Sequence, residues 1–287
     1  MTASQIGHVD LVRELLAEGA SVNEQREDGQ TASHAAFSSG HIDILELLLV
    51  NGAVVNVEDG TADSMLTVAA QQGNENVVKL LIKNGVVVDS TNDLGRTPLM
   101  FASLNGHLGV IRLLLEHGAH VDKRRPNGWN ALYCACMNGH VDCVELLLEN
   151  GSPIDTVEFG FTPLTVAARH GHTTVVAFLL DKGAAIDLTS DDCFTALVAA
   201  SHDGHEDAVK ILLEHGAKVD TRCQDGSTAL HIVSARGHVR IVKLLVGEGG
   251  AQINLSNNSG RTPFTSAAEE GHKDVVTLLL EKGAKVD

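Results

Sequence analysis

Apolar residues along the chain recur in short stripes that repeat about every 33 residues. The stripe from Val141 to Leu148 places apolar residues at i, i+3, i+6 and i+7, which is the spacing of one face of an α-helix. Small residues such as Ala69-Ala70 and Ala167-Ala168 precede the stripes. The stripe recurs in nine units, in which the matching residues are Val12, Leu45, Val78, Ile111, Val144, Val176, Val209, Val242 and Val276. The pattern predicts a repeated pair of helices, of which the first is short and closely packed.

Glycines separate the predicted helices. A Gly-His dipeptide follows the first helix in eight units, Gly73-Asn74 fills the remaining unit, and successive glycines lie 32 to 34 residues apart. A second glycine, such as Gly118 or Gly151, follows each apolar stripe. Because glycine tolerates positive φ, we expect both glycines to end helices in left-handed stops. Threonines such as Thr97 and Thr162, each followed by proline, are expected to cap the first helices.

A second column of matching positions, with one Asn or Asp in each unit, has the same period. It consists of Asn23, Asn56, Asp89, Asp122, Asp155, Asp187, Asp220, Asn254 and Asp287. Two independent columns with one period exclude a chance repeat. The predicted unit is therefore a turn, a helix, a turn, a second helix and a loop.

Three motifs carry a resemblance to a known family: Gly95-Arg96-Thr97-Pro98-Leu99, Gly106-His107 and Leu113-Leu114-Leu115-Glu116-His117-Gly118-Ala119. The unit closely resembles the ankyrin repeat, and the resemblance covers essentially the whole chain. It implies an all-α fold, an ankyrin-repeat solenoid of stacked helix-turn-helix units with β-hairpin-like tips. We expect one array over 1–287, because no unit can bury its apolar face alone. The expected repeats are 1–25 (partial), 26–58, 59–91, 92–124, 125–156, 157–189, 190–222, 223–256 and 257–287.

Some units depart from the pattern. In repeat 59–91, Ala62 replaces the glycine of the turn before the first helix, which is Gly95 in the next repeat. Ser64 replaces the threonine and Asn74 replaces the histidine. These changes predict a reshaped or mobile tip. Repeat 125–156 is one residue short and the stretch Gly247–Gly250 adds one residue, and we expect both changes in loops. Because Met1 falls inside a predicted first helix and the last unit resembles an interior one, we expect a segment of a longer array or a truncated gene product, flanked by further repeats or domains.

Composition narrows the class of protein. Hydrophobic residues make up 44% and charged residues 20%, which favours a folded chain over a disordered one. A net charge of -16 makes nucleic acid an unfavourable ligand. The sequence contains neither an apolar run of 18 residues nor a signal peptide, so we expect an intracellular, cytoplasmic protein without membrane insertion. Five cysteines, an odd number, favour reduced thiols.

Catalytic and metal chemistry find little support in the sequence. Eight of the fifteen histidines belong to the Gly-His column, and the others lack a His-x-x-x-His pair backed by glutamate. Cys134, Cys136 and Cys143 stand where other units carry small residues, so we expect buried small side chains rather than zinc ligands. Motifs of phosphate loops, dinucleotide folds and nucleophile elbows are missing. We therefore predict no enzymatic activity, cofactor or metal.

The resemblance implies a partner-facing concave side, formed by the tips and first helices. The residue after the turn glycine projects from it, and in three consecutive repeats that residue is aromatic: Trp129, Phe161 and Phe194. We expect a strip on the order of 20 Å long, because stacked helices lie roughly 10 Å apart. Arg96 belongs to the same column, and Tyr133, Phe159, Met137 and Leu104 are placed to widen the strip. Residues before each Gly-His face the same groove: Asn105, Asn138, Arg169, His170, His202, Asp203 and Arg236.

Aromatic anchors bordered by arginine are typical of protein-binding hot spots. The sequence therefore favours a non-catalytic scaffold for protein-protein interaction that holds a protein or peptide in its groove. Two alternatives stay open. Each ring can simply pack on the neighbouring hairpin, and the array can be a spacer or spring in a larger channel, kinase, ligase or cytoskeletal adaptor. The acidic net charge favours a basic or mixed peptide segment. The resemblance also implies asparagine hydroxylation at Asn23 and Asn56.

Overall fold

The structure is a computed structural model, and it describes residues 1–27, 29–55, 64–126, 128–157, 161–189 and 194–286. Over these ranges it contains eighteen α-helices and no strand. The odd-numbered helices are the first helices of the repeats: α1 Thr2–Ile6, α3 Ala32–Ser38, α5 Met65–Gln72, α7 Pro98–Leu104, α9 Ala131–Met137, α11 Pro163–Arg169, α13 Ala196–Asp203, α15 Ala229–Arg236 and α17 Pro263–Glu269. The even-numbered helices are the second helices: α2 Val9–Ala17, α4 Ile42–Val50, α6 Glu75–Lys83, α8 Leu108–Glu116, α10 Val141–Glu149, α12 Thr173–Asp181, α14 Glu206–Glu214, α16 Val239–Gly247 and α18 Lys273–Glu281. The predicted all-helical repeat fold is confirmed.

The helices form two compact units, Met1–Pro126 and Asn127–Asp287. In the first unit α1 packs on α3 and α5 on α7, while α2 packs on α4 and α6 on α8. In the second unit each odd helix from α9 to α17 packs on the next odd helix, and the even helices from α10 to α18 do the same. The expectation of one continuous array over 1–287 stays a prediction.

Threonine side chains cap first helices as predicted. Thr97 Oγ1 accepts the Met100 N–H at 3.2 Å, and Thr162 Oγ1 accepts the Thr165 N–H at 3.0 Å. Asn130 caps α9 in the same way, because its Oδ1 accepts the Tyr133 N–H at 2.9 Å. These bonds satisfy amide groups that have no partner within the helix. The residue immediately before each capping residue occupies the predicted groove column.

The tips that precede the first helices are hairpin-like where the structure describes them. The Asn92 N–H donates to the Arg96 carbonyl at 3.1 Å, and the Cys223 N–H donates to the Ser227 carbonyl at 2.8 Å. Adjacent tips also bond, because the Asn258 N–H donates to the Asp225 carbonyl at 2.9 Å. The predicted tip of repeat 59–91 lies outside the described residues.

The core consists of aliphatic stripes and small residues. The stripe residues Val78, Ile111 and Val144 are fully buried, as are their counterparts in most repeats. The predicted small residues of the first helices, including Ala69, Ala102 and Ala167, are equally inaccessible. Small side chains let neighbouring first helices approach closely. The second helix of each repeat has nine residues. The missing residue of repeat 125–156 and the extra residue of the Gly247–Gly250 stretch therefore do not change the length of a second helix.

The Gly-His dipeptide joins adjacent repeats, which the sequence did not predict. The histidine ring of one repeat lies against the glycine of the repeat before it, so closely that a Cβ atom on Gly139 would stand 2.6 Å from the His172 ring. His172 Nε2 lies 2.9 Å from the Met137 carbonyl, to which its N–H donates. The same approach occurs in six pairs: Gly7 and His41, Gly73 and His107, Gly139 and His172, Gly171 and His205, Gly204 and His238, and Gly237 and His272. Each of these glycines therefore meets two demands, a positive φ and room for a ring.

The predicted break at Asn74 removes one of these contacts. No described atom lies within 4 Å of a Cβ built on Gly40, whose following repeat has Asn74 instead of histidine. Asn74 acts instead as a side-chain cap, since its Oδ1 accepts the Val77 N–H at 3.2 Å. Ser64 also keeps its capping function, because its Oγ accepts the Thr67 N–H at 3.3 Å. The substitutions in this repeat therefore preserve the helices and change the contact between repeats.

The Asn/Asp column also links repeats. Asn23 Oδ1 accepts the Val54 N–H at 2.8 Å, and Asp155 Oδ1 accepts the Ala185 N–H at 2.9 Å. Asn23 Nδ2 also donates to the Gly52 carbonyl at 3.0 Å. The same bridge to the next loop occurs at Asp89, Asp187, Asp220 and Asn254. Hydroxylation of Asn23 stays a prediction, and Asn56 lies outside the described residues.

His231 is a buried histidine with a fixed role in α15. The Thr228 N–H donates to His231 Nδ1 at 3.1 Å, and His231 Nε2 donates to the Arg261 carbonyl at 3.1 Å in the next repeat. This arrangement requires a neutral ring, because Nδ1 must stay unprotonated to accept. Burial lowers the pKa of His231, and the hydrogen bond to the Arg261 carbonyl opposes that shift.

Substitution of Gly139 tests the contact between ring and glycine. Gly139→Ala requires both a left-handed alanine at φ +75 and displacement of the His172 ring. Gly151→Ala is the matched control, because Gly151 has φ +88 and no described atom within 4 Å of a new Cβ. We expect the control to lose about 1 kcal/mol of unfolding free energy and Gly139→Ala to lose about 2 to 4 kcal/mol. Urea unfolding followed by circular dichroism measures both, and equal losses would contradict the contact.

Acid should weaken the fold through His231. The pKa of this histidine is lowered in the folded chain, so the unfolded chain binds more protons as the pH falls below about 6.5. Its contribution to stability is complete above that pH and decreases below it. We expect the wild type to lose more unfolding free energy between pH 7.5 and 5.5 than His231→Gln, measured by urea unfolding at each pH. An equal or larger loss in the variant would contradict the assignment.

Candidate functional site

Trp129 lies directly before the capping residue of α9 and stacks on a side chain of that helix. Its ring centroid is 4.8 Å from that of Tyr133, with an angle of 26° between the planes. Tyr133 is buried, whereas Trp129 is half-buried. The indole ring therefore has one face against the tyrosine and keeps part of its surface accessible.

Phe161 and Phe194 occupy the matching positions before α11 and α13, and they contact each other. Their centroids are 6.2 Å apart with an edge-to-face angle of 77°, a favourable geometry for aromatic pairs. The Arg169 guanidinium lies 5.2 Å from the Phe161 centroid. Both rings are half-buried. Packing of the two rings on each other is therefore compatible with contact to a partner, since both rings keep part of their surface accessible.

Polar side chains at the ends of the first helices border these rings. Asp203 receives Arg169 Nε at 3.5 Å on one carboxylate oxygen and His202 Nδ1 at 2.6 Å on the other. The His202 ring also meets Phe194 edge to face, with centroids 5.9 Å apart. From the next repeat, the Arg236 terminal nitrogen lies 2.6 Å from His202 Nε2. Three consecutive repeats thus contribute to one chain of contacts, and the Trp129–Tyr133 pair lies in the repeat before them.

We call this set the aromatic–arginine surface. It consists of Trp129, Tyr133, Phe161, Arg169, Phe194, His202, Asp203 and Arg236.

The positive charge of Arg169 also acts on Tyr133. Burial raises the pKa of Tyr133 to about 12, the thiol of Cys134 adds to the rise, and the charge of Arg169 opposes it. The phenol therefore stays protonated at neutral pH. Burial also lowers the pKa of His170, and the neighbouring His172 and Arg169 lower it further. His170 stacks with His172 at 6.1 Å and remains neutral at pH 7.

Four described residues of the predicted site are not members of this surface: Arg96, Leu104, Met137 and His170. Met137 is half-buried at the end of α9 and contributes its backbone carbonyl to His172. Arg96 and Leu104 belong to the first unit, where the Arg96 guanidinium lies 5.5 Å from the Phe101 ring. Leu104 is half-buried at the end of α7. Phe159 lies outside the described residues. The participation of these residues in binding stays a prediction.

The pairing of side chains between repeats was missed by sequence reasoning, although a signal exists. Arg169 and Asp203 lie 34 positions apart, and so do His202 and Arg236. Residues separated by about one repeat face each other across a stacked interface. Complementary groups at that separation would have predicted both contacts.

The cysteines of α9 and α10 are buried. Cys134, Cys136 and Cys143 are each at most 5% exposed and form no disulfide. Burial raises the pKa of the Cys136 thiol well above its ordinary range, and raises the pKa of Cys143 to about 11, with a smaller effect from Asp142. Among the described residues, no group of three or more His, Cys, Asp or Glu side chains is arranged to hold a metal ion. None of the eighteen described helices is long and apolar enough to cross a membrane.

Comparisons with known proteins agree with the geometry. A family model described as ankyrin repeats (3 copies) matches residues 1–59, 49–125, 66–158, 120–192, 150–223 and 196–287. The crystal structure of the human ASB11 ankyrin repeat domain is similar to the chain, with a TM-score of 0.72 and 32% sequence identity. The match covers 78% of this chain and 100% of that domain. No curated protein matches the chain.

Thiol labelling tests the burial of these cysteines. We expect Cys136 and Cys143 to resist iodoacetamide at pH 8, because a pKa of about 11 leaves roughly one thiol in a thousand of Cys143 as the reactive thiolate. Both should label rapidly in denaturing urea. Peptide mapping by mass spectrometry identifies the labelled positions, with the half-buried Cys223 as the internal comparison. Rapid labelling of Cys136 in the folded protein would contradict the structure.

Proposed function

The chain belongs to the ankyrin repeat family, and on that premise we propose that it is a non-catalytic scaffold that binds a partner protein on its aromatic–arginine surface. Ankyrin repeats are generally modules of protein-protein interaction rather than enzymes. The fold alone does not select a partner or a surface, so the proposal rests on the site.

The observation that carries the proposal is the run of contacts across three consecutive repeats, from Phe161 and Arg169 to Arg236. Trp129 and Phe161 are half-buried anchors, and Arg169 lies over the Phe161 ring. Tryptophan, tyrosine and arginine are the residue types that dominate binding energy at protein interfaces. Rings held against neighbours also lose little conformational freedom when a partner docks, which favours binding. The surface therefore supplies preorganised apolar area with charged groups at its border.

The proposal includes an intracellular, cytoplasmic setting. The four described cysteines form no disulfide, which is typical of proteins in reducing compartments. Reduced thiols at Cys134, Cys136 and Cys143 also keep the small volume that the packing of α9 and α10 requires.

Replacement of Trp129, Phe161 and Phe194 by alanine tests the function. We expect at least about a 10-fold loss of affinity for a partner, because each ring should contribute more than ~1 kcal/mol. Partners are recovered from a matched cell lysate with the wild type and with the triple variant, identified by mass spectrometry, and then titrated as purified proteins. Circular dichroism confirms that the variant is folded.

Phe178→Ala is the control for this experiment. Phe178 is a half-buried phenylalanine of the same repeat as Phe161, but it lies on the second helix α12, with Lys182 Nζ 5.1 Å from its ring. The control should bind like the wild type. Identical retention by the wild type and the triple variant would reject the proposed surface and favour the spacer function.

A further inference from the structure

Two arginines converge on one histidine–aspartate pair at the centre of the aromatic–arginine surface. Arg236 donates to His202 Nε2 at 2.6 Å, and His202 in turn donates from Nδ1 to Asp203 at 2.6 Å. This chain of donors fixes His202 as the neutral Nδ1–H tautomer, since Nε2 must accept. Arg169 approaches the same carboxylate from the preceding repeat, with its Nε 3.5 Å from Asp203. His202 and Asp203 thus hold both guanidinium groups in place.

The charge at this point is opposite to that of the whole chain. The protein carries a net charge of -16, yet here a single carboxylate holds two guanidinium groups, Arg169 directly and Arg236 through His202. These four side chains therefore carry a net charge of +1. Asp203 already receives two donors, so it is poorly suited to take a cation from a partner.

The arginines retain donors that a partner can use. Arg169 contacts Asp203 through Nε, and within the described part of the chain its two terminal NH2 groups have no hydrogen-bond partner. A planar guanidinium held over a ring is well suited to receive a carboxylate through two parallel hydrogen bonds. Phe161 and Phe194 lie beside it and offer apolar surface. An anion and an apolar group can therefore bind side by side.

We propose that the aromatic–arginine surface binds an extended protein segment in which an aspartate or glutamate stands next to an apolar side chain. The carboxylate lies between Arg169 and Arg236, and the apolar side chain packs on Phe161 and Phe194. This proposal rests on the proposed function and names its class of partner. It differs from the expectation based on net charge, because short-range contacts with two fixed guanidinium groups decide which side chain fits.

Three pools of synthetic nine-residue peptides test this specificity. They share uncharged randomised flanks and differ only in the central pair, which is Leu-Glu, Leu-Gln or Leu-Lys. Each pool is labelled with a fluorophore and titrated with the full chain by fluorescence anisotropy. We expect the Leu-Glu pool to bind at least about 10-fold more tightly than the other two, because only its carboxylate forms charge-assisted hydrogen bonds.

Arginine variants locate the contact. Arg169→Gln combined with Arg236→Gln should weaken the Leu-Glu pool by at least about 10-fold and leave the Leu-Gln pool within about 2-fold. Arg240→Gln is the matched control, because Arg240 on α16 is highly exposed and contacts Glu206 instead. Arg169→Glu should shift the preference toward the Leu-Lys pool. Circular dichroism checks that each variant is folded.

The outcomes separate this proposal from the function on which it rests. Equal binding of the Leu-Glu and Leu-Gln pools, both lost in Phe161→Ala, overturns the specificity for an acidic residue and leaves the docking surface intact. Tightest binding of the Leu-Lys pool, or binding by none of the pools, overturns the specificity as well. The docking function is judged independently by partner retention in the triple alanine variant.

Discussion

The contact between a histidine ring and the glycine of the preceding repeat is the constraint on which the structure depends. It requires a glycine at positive φ with no side chain in the way, and a ring whose Nε2 reaches a backbone carbonyl one repeat earlier, as His172 reaches Met137. Because no repeat buries its apolar stripe alone, these contacts set how each pair of stripes meets. The Asn/Asp bridges, such as Asp155 to the Ala185 N–H, fix the opposite end of the same interface.

The same spacing that stacks the core also assembles the surface. Phe161 and Phe194 stand before capping threonines one repeat apart, so their rings meet when the helices stack. Arg169, His202 and Arg236 come from the ends of three consecutive first helices, which places them in a row. Site geometry and fold geometry are therefore not independent. A change that alters the stacking distance would move every residue of the row together.

The sequence predicted the helices, their glycine stops and the threonine caps, because each depends on residues close in the chain. Burial of Cys134 and Cys136 also followed, since their positions match small residues in other repeats. The link from Arg236 through His202 to Asp203 did not, because side-chain direction across a stacked interface is set by packing and not by local propensity. Of the predicted strip, Phe161 and Phe194 contact each other, and the strip as a binding site stays a prediction. The sequence did not foresee that Trp129 stacks on Tyr133 of its own repeat.

The contact between a glycine and the histidine of the next repeat also affects how a repeat array can gain repeats by duplication. In repeats 157–189, 190–222 and 223–256, the glycine accommodates the next ring and the histidine ring fits the previous glycine. A duplicated repeat of this kind would thus contain both the glycine and the histidine that the contact between repeats requires. No new interface would need to evolve. Gly40 and Asn74 form an exception, because without the ring no described atom lies within 4 Å of a Cβ built on Gly40. Selection against a side chain at Gly40 then comes from backbone conformation alone, so residues 40 and 74 can change independently, whereas in the six ring pairs a side chain at the glycine would displace the ring.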